Sequence, residues 1–510
     1  MALDDEVELK FLADADTWQS LQAKGPLADL HREHAHALRT RYFDTPDYKL
    51  RENGIYFRLR QTDDKLSQSV KQIGGVSRGE WENALSEPHP NFDVLADRQV
   101  APVLKSKAIL NALQPVFETD VNRRSLLWQN NGTQIEISFD KGKIKADDNE
   151  LSLHEIELEL KKGAIVELFV FAQSLIAAAP MTLSLVSKGE RGFLLSDGKW
   201  GQAQKVSAPD LKRGMSAGDA FKHSCLACLQ TLMLNTSLLD PSTQDIEIVH
   251  QSRVALRRLR AAMSFFAPIA EGQRYETLRH EFGWMSDLLG EARDLDVWQT
   301  TVFKPKAVER HAHPGFAFLS HHMEGRRRKA YARLSEALAS QRWRKTLLEC
   351  AIFLQVEDWS LGDRAIPIED FLNDRLSKRI KKLIKRGGDL EKLDPPSQHR
   401  LRIHAKKLRY TAEFFGCFAE EMKRRKEFKR LVGACEDMQS ALGEIHDRIA
   451  LESFLAEEFA KVDAQSAAPQ NVPAAFAAGL LAHERPDQEK YLRAAAKAYR
   501  KVKAWEPFWR

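Results

Sequence analysis

Glu6-Val7-Glu8-Leu9-Lys10 opens the chain with two carboxylates and an ammonium at alternate positions, and on an extended strand all three stand on one face. A face with three charges makes a poor core, because buried charge is costly unless it is paired or holds a metal. The alternation recurs in Phe57-Arg58-Leu59-Arg60, in Ile135-Glu136-Ile137-Ser138-Phe139-Asp140 and in Glu155-Ile156-Glu157-Leu158-Glu159-Leu160-Lys161. One such strand is a solvated face; several predict a polar barrel interior. Lys71, Arg123, Lys188 and Arg191 add cations to that lining. Carboxylate oxygens suit hard divalent ions, and phosphoryl oxygens suit such an ion together with Arg or Lys, so the mixture predicts a site for a metal-bound polyphosphate group. Phosphoryl transfer needs chiefly positioning and charge neutralisation, which this lining supplies.

A second set of cations has helical spacing. His250, Arg253, Arg257 and Arg260 fall in one stripe at about 100° per residue, beside an apolar stripe of Leu256, Leu259, Met263 and Phe266. The stretch from Val249 to Arg260 aligns with that from Gln398 to Arg409, so His399, Arg402, Lys406 and Arg409 repeat the cationic stripe. Leu289-Gly290-Glu291-Ala292-Arg293-Asp294 likewise aligns with Leu442-Gly443-Glu444-Ile445-His446-Asp447, which predicts two related bundles in tandem. Cations along one helix cannot neutralise one another, and their duplication favours an anion-binding groove over a solvated face. Arg293, Asp294, Asp296 and Asp447 read as interhelical salt bridges. The runs Arg326-Arg327-Arg328-Lys329 and Lys423-Arg424-Arg425-Lys426 read as solvated faces.

The elements that must position these residues divide the chain. Residues 1–197 alternate in short runs between turn signals such as Thr45-Pro46-Asp47, Glu52-Asn53-Gly54, Asn130-Asn131-Gly132 and Asp140-Lys141-Gly142, a pattern of antiparallel sheet. Asp140 is assigned to the turn before Gly142. Helical spacing appears around 14–23, 93–113 and 163–178. A Gly, Pro and Lys-rich linker at 198–215 precedes a helical part from 216 to 510, entered through Ser216 and Asp219 and divisible at about 360 into its two repeats.

With 510 residues the chain exceeds what one core supports, and 43% hydrophobic with 29% charged residues is a soluble globular composition. No apolar run is long enough for a bilayer span, and the acidic amino terminus lacks a basic-then-apolar leader, so the expectation is a cytoplasmic protein. Cys225, Cys228, Cys350, Cys417 and Cys435 are too few and too odd for a disulfide framework and read as reduced core thiols. The net charge of +5 hides an asymmetry. Residues 1–200 hold 25 basic against 31 acidic residues, leaving 52 against 41 beyond, a balance of +11 that attracts polyanions.

Glu6-x-Glu8-x-Lys10, Arg58-x-Arg60, Lys71, Arg78-Gly79-Glu80-Trp81-Glu82, Arg123, Glu155-x-Glu157-x-Glu159 and Ser187-Lys188-Gly189-Glu190-Arg191 resemble, in order and spacing, the CYTH or triphosphate tunnel metalloenzyme superfamily. The tandem helical pattern of His250, Arg253 and Arg257 with His399, Arg402 and Lys406 resembles the CHAD domain. Together the resemblances imply an α+β chain: an amino-terminal eight-stranded antiparallel β tunnel with flanking helices, then an all-α domain of two pseudo-symmetric four-helix bundles. They imply an inorganic triphosphatase using Mg²⁺ or Mn²⁺, with inorganic triphosphate as substrate and inorganic polyphosphate as partner. Membrane is not a partner and nucleic acid is disfavoured, since no aromatic stacking platform or recognised motif accompanies the basic charge. Polyphosphate granules are the expected place of association.

In the implied roles, Glu6, Glu8, Glu155, Glu157 and Glu159 hold metal; Lys10, Arg58, Arg60, Lys71, Arg78, Arg123, Lys188 and Arg191 grip phosphate; and Glu80 and Glu82 join Glu155 to Glu159 as candidates to orient water. Arg123 and Arg124 compete for one position. His250, Arg253, Arg257, Arg260, His399, Arg402, Lys406 and Arg409 form the polyphosphate surface. An adenylate cyclase or thiamine triphosphatase on the same tunnel is the enzymatic alternative, and a non-catalytic polyphosphate-binding or granule-targeting protein the alternative of another class.

Overall fold

A computed structural model describes residues 6–505 apart from 31–33, 73–76, 79, 93–100, 105, 210, 241–244, 304–313, 415, 417, 419–422 and 466–487. Two compact units emerge: one takes 1–204 with Met233–Leu238 and Ala337–Glu357, the other 205–232, 239–336 and 358–510. The first break, after 204, lies within the stretch 198–215, and two later helical segments, Met233–Leu238 and Ala337–Glu357, group with the first unit. The helix Gln341–Gln355 lies against the helix Ile165–Ala178, where Gln173 donates to Glu349 at 2.7 Å.

The first unit is built on ten antiparallel strands: β1 (Glu6–Leu12), β2 (His34–Asp44), β3 (Ile55–Thr62), β4 (Lys65–Gln72), β5 (Ser77–Arg78), β6 (Glu80–Leu85), β7 (Gln114–Asn130), β8 (Thr133–Ala146), β9 (Asn149–Lys162) and β10 (Thr182–Ser184). Their order is β10-β1-β9-β8-β7-β2-β3-β4-β6, with β5 pairing beside β1. The expected antiparallel sheet runs as one path of eight longer strands from β1 through β9, β8, β7, β2, β3 and β4 to β6, and β5, one residue before β6, pairs with β1 at the other end of the path. The additional pieces are short: β10 pairs three residues of β1, and β5 pairs two.

Antiparallel partners share a face. Register thus places Glu8 opposite Glu159, Lys10 opposite Glu157, Asp140 opposite Glu155 and Arg123 opposite Asp140 on one face. Arg58 faces Tyr42 and Ser69, and Lys71 faces Glu80, on the same terms. The other face is apolar. Leu9, Phe11, Ile137, Phe139, Ile156 and Leu158 are buried there, with Trp18 of the helix Ala15–Lys24 stacked on Phe139 at 5.3 Å. Glu8, Arg58, Asp140, Glu155 and Glu157 on the polar face are buried as well.

The polar face is not polar along its whole length. Past Asp140 and Glu155 the same positions become Ile144, Ala146 and Leu153, which join Leu38, Phe117 and Val121 around Phe193 and Leu195 of the helix Lys188–Ser196. That helix brings Lys188 and Arg191 to the site from its first turn, so these two are not on strands as the alternation implied. Asn131 and Gly132, both at positive φ, make the tight β7–β8 turn that Asn-Asn-Gly predicts. Asp140-Lys141-Gly142 is not a turn but mid-strand. A Cβ at Gly142 would lie 2.1 Å from the Asp120 carbonyl oxygen, so this glycine admits the neighbouring strand and does not bend the chain.

In the second unit the helix Ala217–Ser237 starts at the predicted cap, with the Asp219 amide donating to Ser216 Oγ at 3.0 Å. The helices Ile368–Gly387, Pro395–Phe414, Arg425–Gln465 and Gln488–Lys503 pack in a ring, the first against the second and fourth and the third against the second and fourth. Ile246–Phe266 packs on Gln273–Val297, and also on Pro395–Phe414, so the repeated helices of the two halves touch. Leu256, Leu259, Met263 and Phe266 are buried, as their stripe predicts. Among the described residues no helix is long and apolar enough to cross a membrane. Among the described residues Cys225, Cys228, Cys350 and Cys435 are buried and form no disulfide, and burial pushes the last three thiols up to about 12; Cys417 lies outside the described residues.

Candidate functional site

On the polar face of the sheet the charges sort into two groups. Asp140, Glu155 and Glu157 each bring a carboxylate oxygen within 4.8 Å of the others, and all three are buried. Four cations hold them. Arg123 grips Asp140 with two parallel bonds of 2.7 Å and also meets Glu157. Lys188 lies 2.7 Å from both Asp140 and Glu157 and contacts Glu155, Lys10 joins Glu8 at 2.5 Å and Glu157, and Arg191 pairs with Glu155.

Burial alone would favour the neutral carboxyl of Glu157, but Lys10, Lys188 and Arg123 outweigh it and hold the group well below the usual carboxylate range. Asp140 is lowered in the same way, against burial, by Lys188 and Arg123. Lys188 is raised despite burial by Asp140, Glu155 and Glu157. Asp140 and Glu157 are thus held in their charged forms by the cations around them. Three converging hard oxygen donors could hold a divalent ion, with Lys188 as the counter-charge it would displace.

The second group is cationic. Arg58 is buried and donates through Nε to Ser69 at 2.6 Å, while Arg60 Nε is buried without an acceptor among the described residues. Burial, then the repulsion of Arg58 and Arg123, lowers Arg60 to about 10. Tyr42 registers the same field: burial would raise its phenol, yet Arg58, Arg60 and Lys71 hold it below its ordinary value. Such a group gains from an incoming anion.

The sequence-predicted residues fall as follows. Lys10, Arg58, Arg60, Lys71, Arg123, Glu155, Glu157, Lys188 and Arg191 come together, and Arg124 is excluded, since its guanidinium lies over Trp18 and Phe139 on the other face. Glu8 is buried against Lys10, but Glu159 is half-exposed and pairs with Lys161 at 2.6 Å, so neither belongs to the close acid set. Asp140 does. Sequence reasoning missed it, although its parity with Glu136 and Ser138 was the available signal. Glu82 is exposed on β6 opposite Ser69; Glu6, Arg78 and Glu80 are fixed by backbone register opposite Arg78, Glu6 and Lys71, and their side chains lie outside the described set.

In the helical unit Arg253, Arg257, Arg260, Arg279, Lys406 and Lys407 line a groove of about 610 Å³ between Ile246–Phe266, Gln273–Val297 and Pro395–Phe414. Its one lining acid is Glu276. Arg257 Nε has no acceptor among the described residues, and its guanidinium lies 4.9 Å from the Tyr410 ring centroid. Burial, then Arg257, Arg402, Arg253 and Arg409, pushes Lys406 down to about 7. Gly290 lies beside Arg253 and Gly443 beside Arg402, so each repeat leaves out a side chain where its arginine passes.

The halves also differ. Arg260 is exposed on the groove, whereas its counterpart Arg409 is taken up by Glu413 and Glu436. His399 stacks on His446 at 4.0 Å, and His250, His399, Arg402 and Arg409 are off the groove wall. Arg253 meets Asp294 at 2.7 Å and Asp296 binds Arg327 and Tyr331, which are the interhelical bonds expected of those aspartates. Arg279, Lys407 and Tyr410 are additions, and only Arg279 lies outside the repeat helices.

The family model described as CHAD domain matches residues 225–456, and that described as CYTH domain matches residues 4–193. A curated relative, the inorganic triphosphatase of Haemophilus influenzae, is 34% identical over 160 residues; the match covers 30% of this chain and 44% of the relative, less than half its length. Among solved structures, the CHAD domain from the plant Ricinus communis is 22% identical, with 59% of this chain and 97% of that chain covered at a TM-score of 0.47. A putative adenylyl cyclase from Hippeastrum described as having a dominant triphosphatase activity is 18% identical, with 38% and 96% covered at a TM-score of 0.29. The chain carries a CYTH domain over residues 4–193 followed by a CHAD domain over residues 225–456.

Proposed function

We propose that the CYTH domain hydrolyses inorganic triphosphate to pyrophosphate and phosphate with Mg²⁺ or Mn²⁺, and that the CHAD domain binds inorganic polyphosphate. The observation that carries the reading is the separation, on one polar face, of an acid cluster from a cation cluster with an unsatisfied arginine. Asp140, Glu155 and Glu157 would hold the metal, joined by Glu6 and Glu8 of β1, the strand that pairs with β9. When bound, a divalent ion neutralises phosphoryl charge.

Arg58, Arg60 and Lys71 would bind one end of the triphosphate, and Arg123, Lys188 and Lys10 the end nearest the acids. Arg60 is the clearest of these, because its buried Nε has no acceptor among the described residues and a phosphate would offset the repulsion of Arg58 and Arg123. A glutamate of Glu80, Glu82, Glu155, Glu157 or Glu159 would orient the attacking water. The apolar floor around Phe193 would exclude bulk solvent from one end.

The test is phosphate release by the purified chain with Mg²⁺ or Mn²⁺ on triphosphate, ATP, thiamine triphosphate and long-chain polyphosphate. Triphosphate should be cleaved with the highest kcat/KM, and metal chelation should stop it. Faster turnover of ATP or thiamine triphosphate would move the assignment to a nucleotide or thiamine enzyme on the same tunnel. For the groove, duplex or single-stranded nucleic acid displacing long-chain polyphosphate at low excess would overturn the partner assignment.

A further inference from the structure

A pocket of about 390 Å³ lies in the first unit, where β1, β9 and β10 meet the segments Met233–Leu238 and Ala337–Glu357. Leu12, Leu183, Met233, Trp343 and Leu347 give it an apolar wall, and its one charged lining side chain is Arg191. His154 is the other titratable group there. Three hydroxyls on the wall are engaged: Ser237 donates to the Leu234 carbonyl, Thr236 to the Met233 carbonyl, and Ser184 bonds the backbone of Val186.

Arg191 is not so provided. It is 5% exposed, and among the described residues its Nη2 pairs with Glu155 while its Nε has no acceptor. Glu155 is itself shared with Lys188, so the guanidinium keeps positive character on its way to an apolar space. A buried N–H without an acceptor is uncommon and asks for an oxygen. One water could supply that oxygen but would not fill an apolar space of this volume, which lies in the range of ligand cavities.

We propose that this cavity binds a small amphiphilic carboxylate, its head on Arg191 and its hydrocarbon or aromatic body among Leu12, Leu183, Trp343 and Leu347. The carboxylate matches the guanidinium in charge and geometry, and the body matches the wall. The head would thus rest on the same guanidinium that pairs with Glu155.

The test titrates the full chain calorimetrically with octanoate and indole-3-acetate, and with octanol and indole as uncharged counterparts. The expected result is one saturable site per chain for the acids, at least about tenfold tighter than for the uncharged pair. Leu347→Phe, which narrows the cavity, should remove binding, and Arg191→Gln should bring the acids down to the level of the alcohol. The ratio of acid to alcohol affinity on the unmodified chain decides the matter even where a variant fails to fold. Absence of saturable acid binding, equal affinity for octanoate and octanol, or unchanged affinity in a folded Leu347→Phe chain would each overturn the proposal.

Discussion

Lys188 Nζ and Asp140 Oδ2 meet at 2.7 Å, joining the first turn of a helix to the middle of β8. Asp140 is fully buried and also holds Arg123 by two bonds, so its charge fixes two cations at once. Asp140→Asn removes that charge and leaves both cations short of a partner. Breaking a buried ionic network in this way typically destabilises by about 3–5 kcal/mol. Urea unfolding followed by tryptophan fluorescence should show such a loss in the sheet-containing unit, and Mn²⁺ affinity should fall at least about tenfold. A chain with unchanged stability and unchanged Mn²⁺ affinity would remove Asp140 from the cluster's function.

The helix that carries Lys188 and Arg191 is set by two glycines. A Cβ at Gly192 would lie 2.0 Å from Phe117 Cε2, and one at Gly189 would lie 3.0 Å from Tyr56. Phe117 is itself stacked on Tyr42 at 4.4 Å and packed against Phe193, so it has no room to yield. Gly192→Ala must therefore push the helix outward. Overpacking of this kind usually destabilises by about 1–3 kcal/mol. Phosphate release should drop more than stability does, because Lys188 moves with the helix; a variant with full turnover would show that its placement is not critical.

Much of the candidate site was legible because period-two alternation is unforgiving: a residue's parity on a strand fixes its face. Arg58, Arg60, Glu155 and Glu157 were found that way. Asp140 was lost because Gly142 mimics a turn signal, when its missing side chain serves the approach of Asp120 on β7. Lys188 and Arg191 were found by motif but given the wrong element, since a Ser187 cap followed by Gly and Glu is a helix start as well as a strand end. The pairing of Met233–Leu238 and Ala337–Glu357 with the sheet had no sequence signal, because an amphipathic face does not name the surface it covers.

Glu6→Ala combined with Glu8→Ala separates the two domains functionally. Glu8 is buried beside Lys10, and the double change should abolish metal-dependent phosphate release from triphosphate while polyphosphate binding persists. Filter binding of long-chain polyphosphate to the same preparation is the control. Unchanged turnover in the double variant would end the metal role of this strand.

The groove predicts a salt dependence. Arg253, Arg257 and Lys406 line it, and Arg402 is the repeat equivalent of Arg253. Reversing all four to Glu should weaken polyphosphate binding and flatten its dependence on log salt, by about one unit of slope for each phosphate that is no longer neutralised. Retained affinity would move the polyanion track to the basic runs at 326–329 and 423–426.

Lys406 carries a pH signature opposite in sign to that of a salt-bridged lysine. Burial, then Arg257, Arg402, Arg253 and Arg409, holds it near 7, whereas in the unfolded chain it returns to its ordinary value. Between those two values the unfolded chain binds the additional proton, so this group makes stability rise with pH across that window, and its penalty is fully present below about 7. A bound polyanion supplies the missing negative charge and raises the lysine again. At pH 8 the free groove therefore holds Lys406 mostly neutral, and polyphosphate binding should draw in close to one proton, roughly 0.9 if the bound value reaches that of a free lysine. Calorimetric titration at pH 8 in buffers of different ionisation enthalpy reads this uptake directly. It should vanish in Lys406→Met, and affinity in the unmodified chain should decline as pH is raised above 7. Binding without proton uptake, or an uptake that survives Lys406→Met, would show that another group responds to the anion.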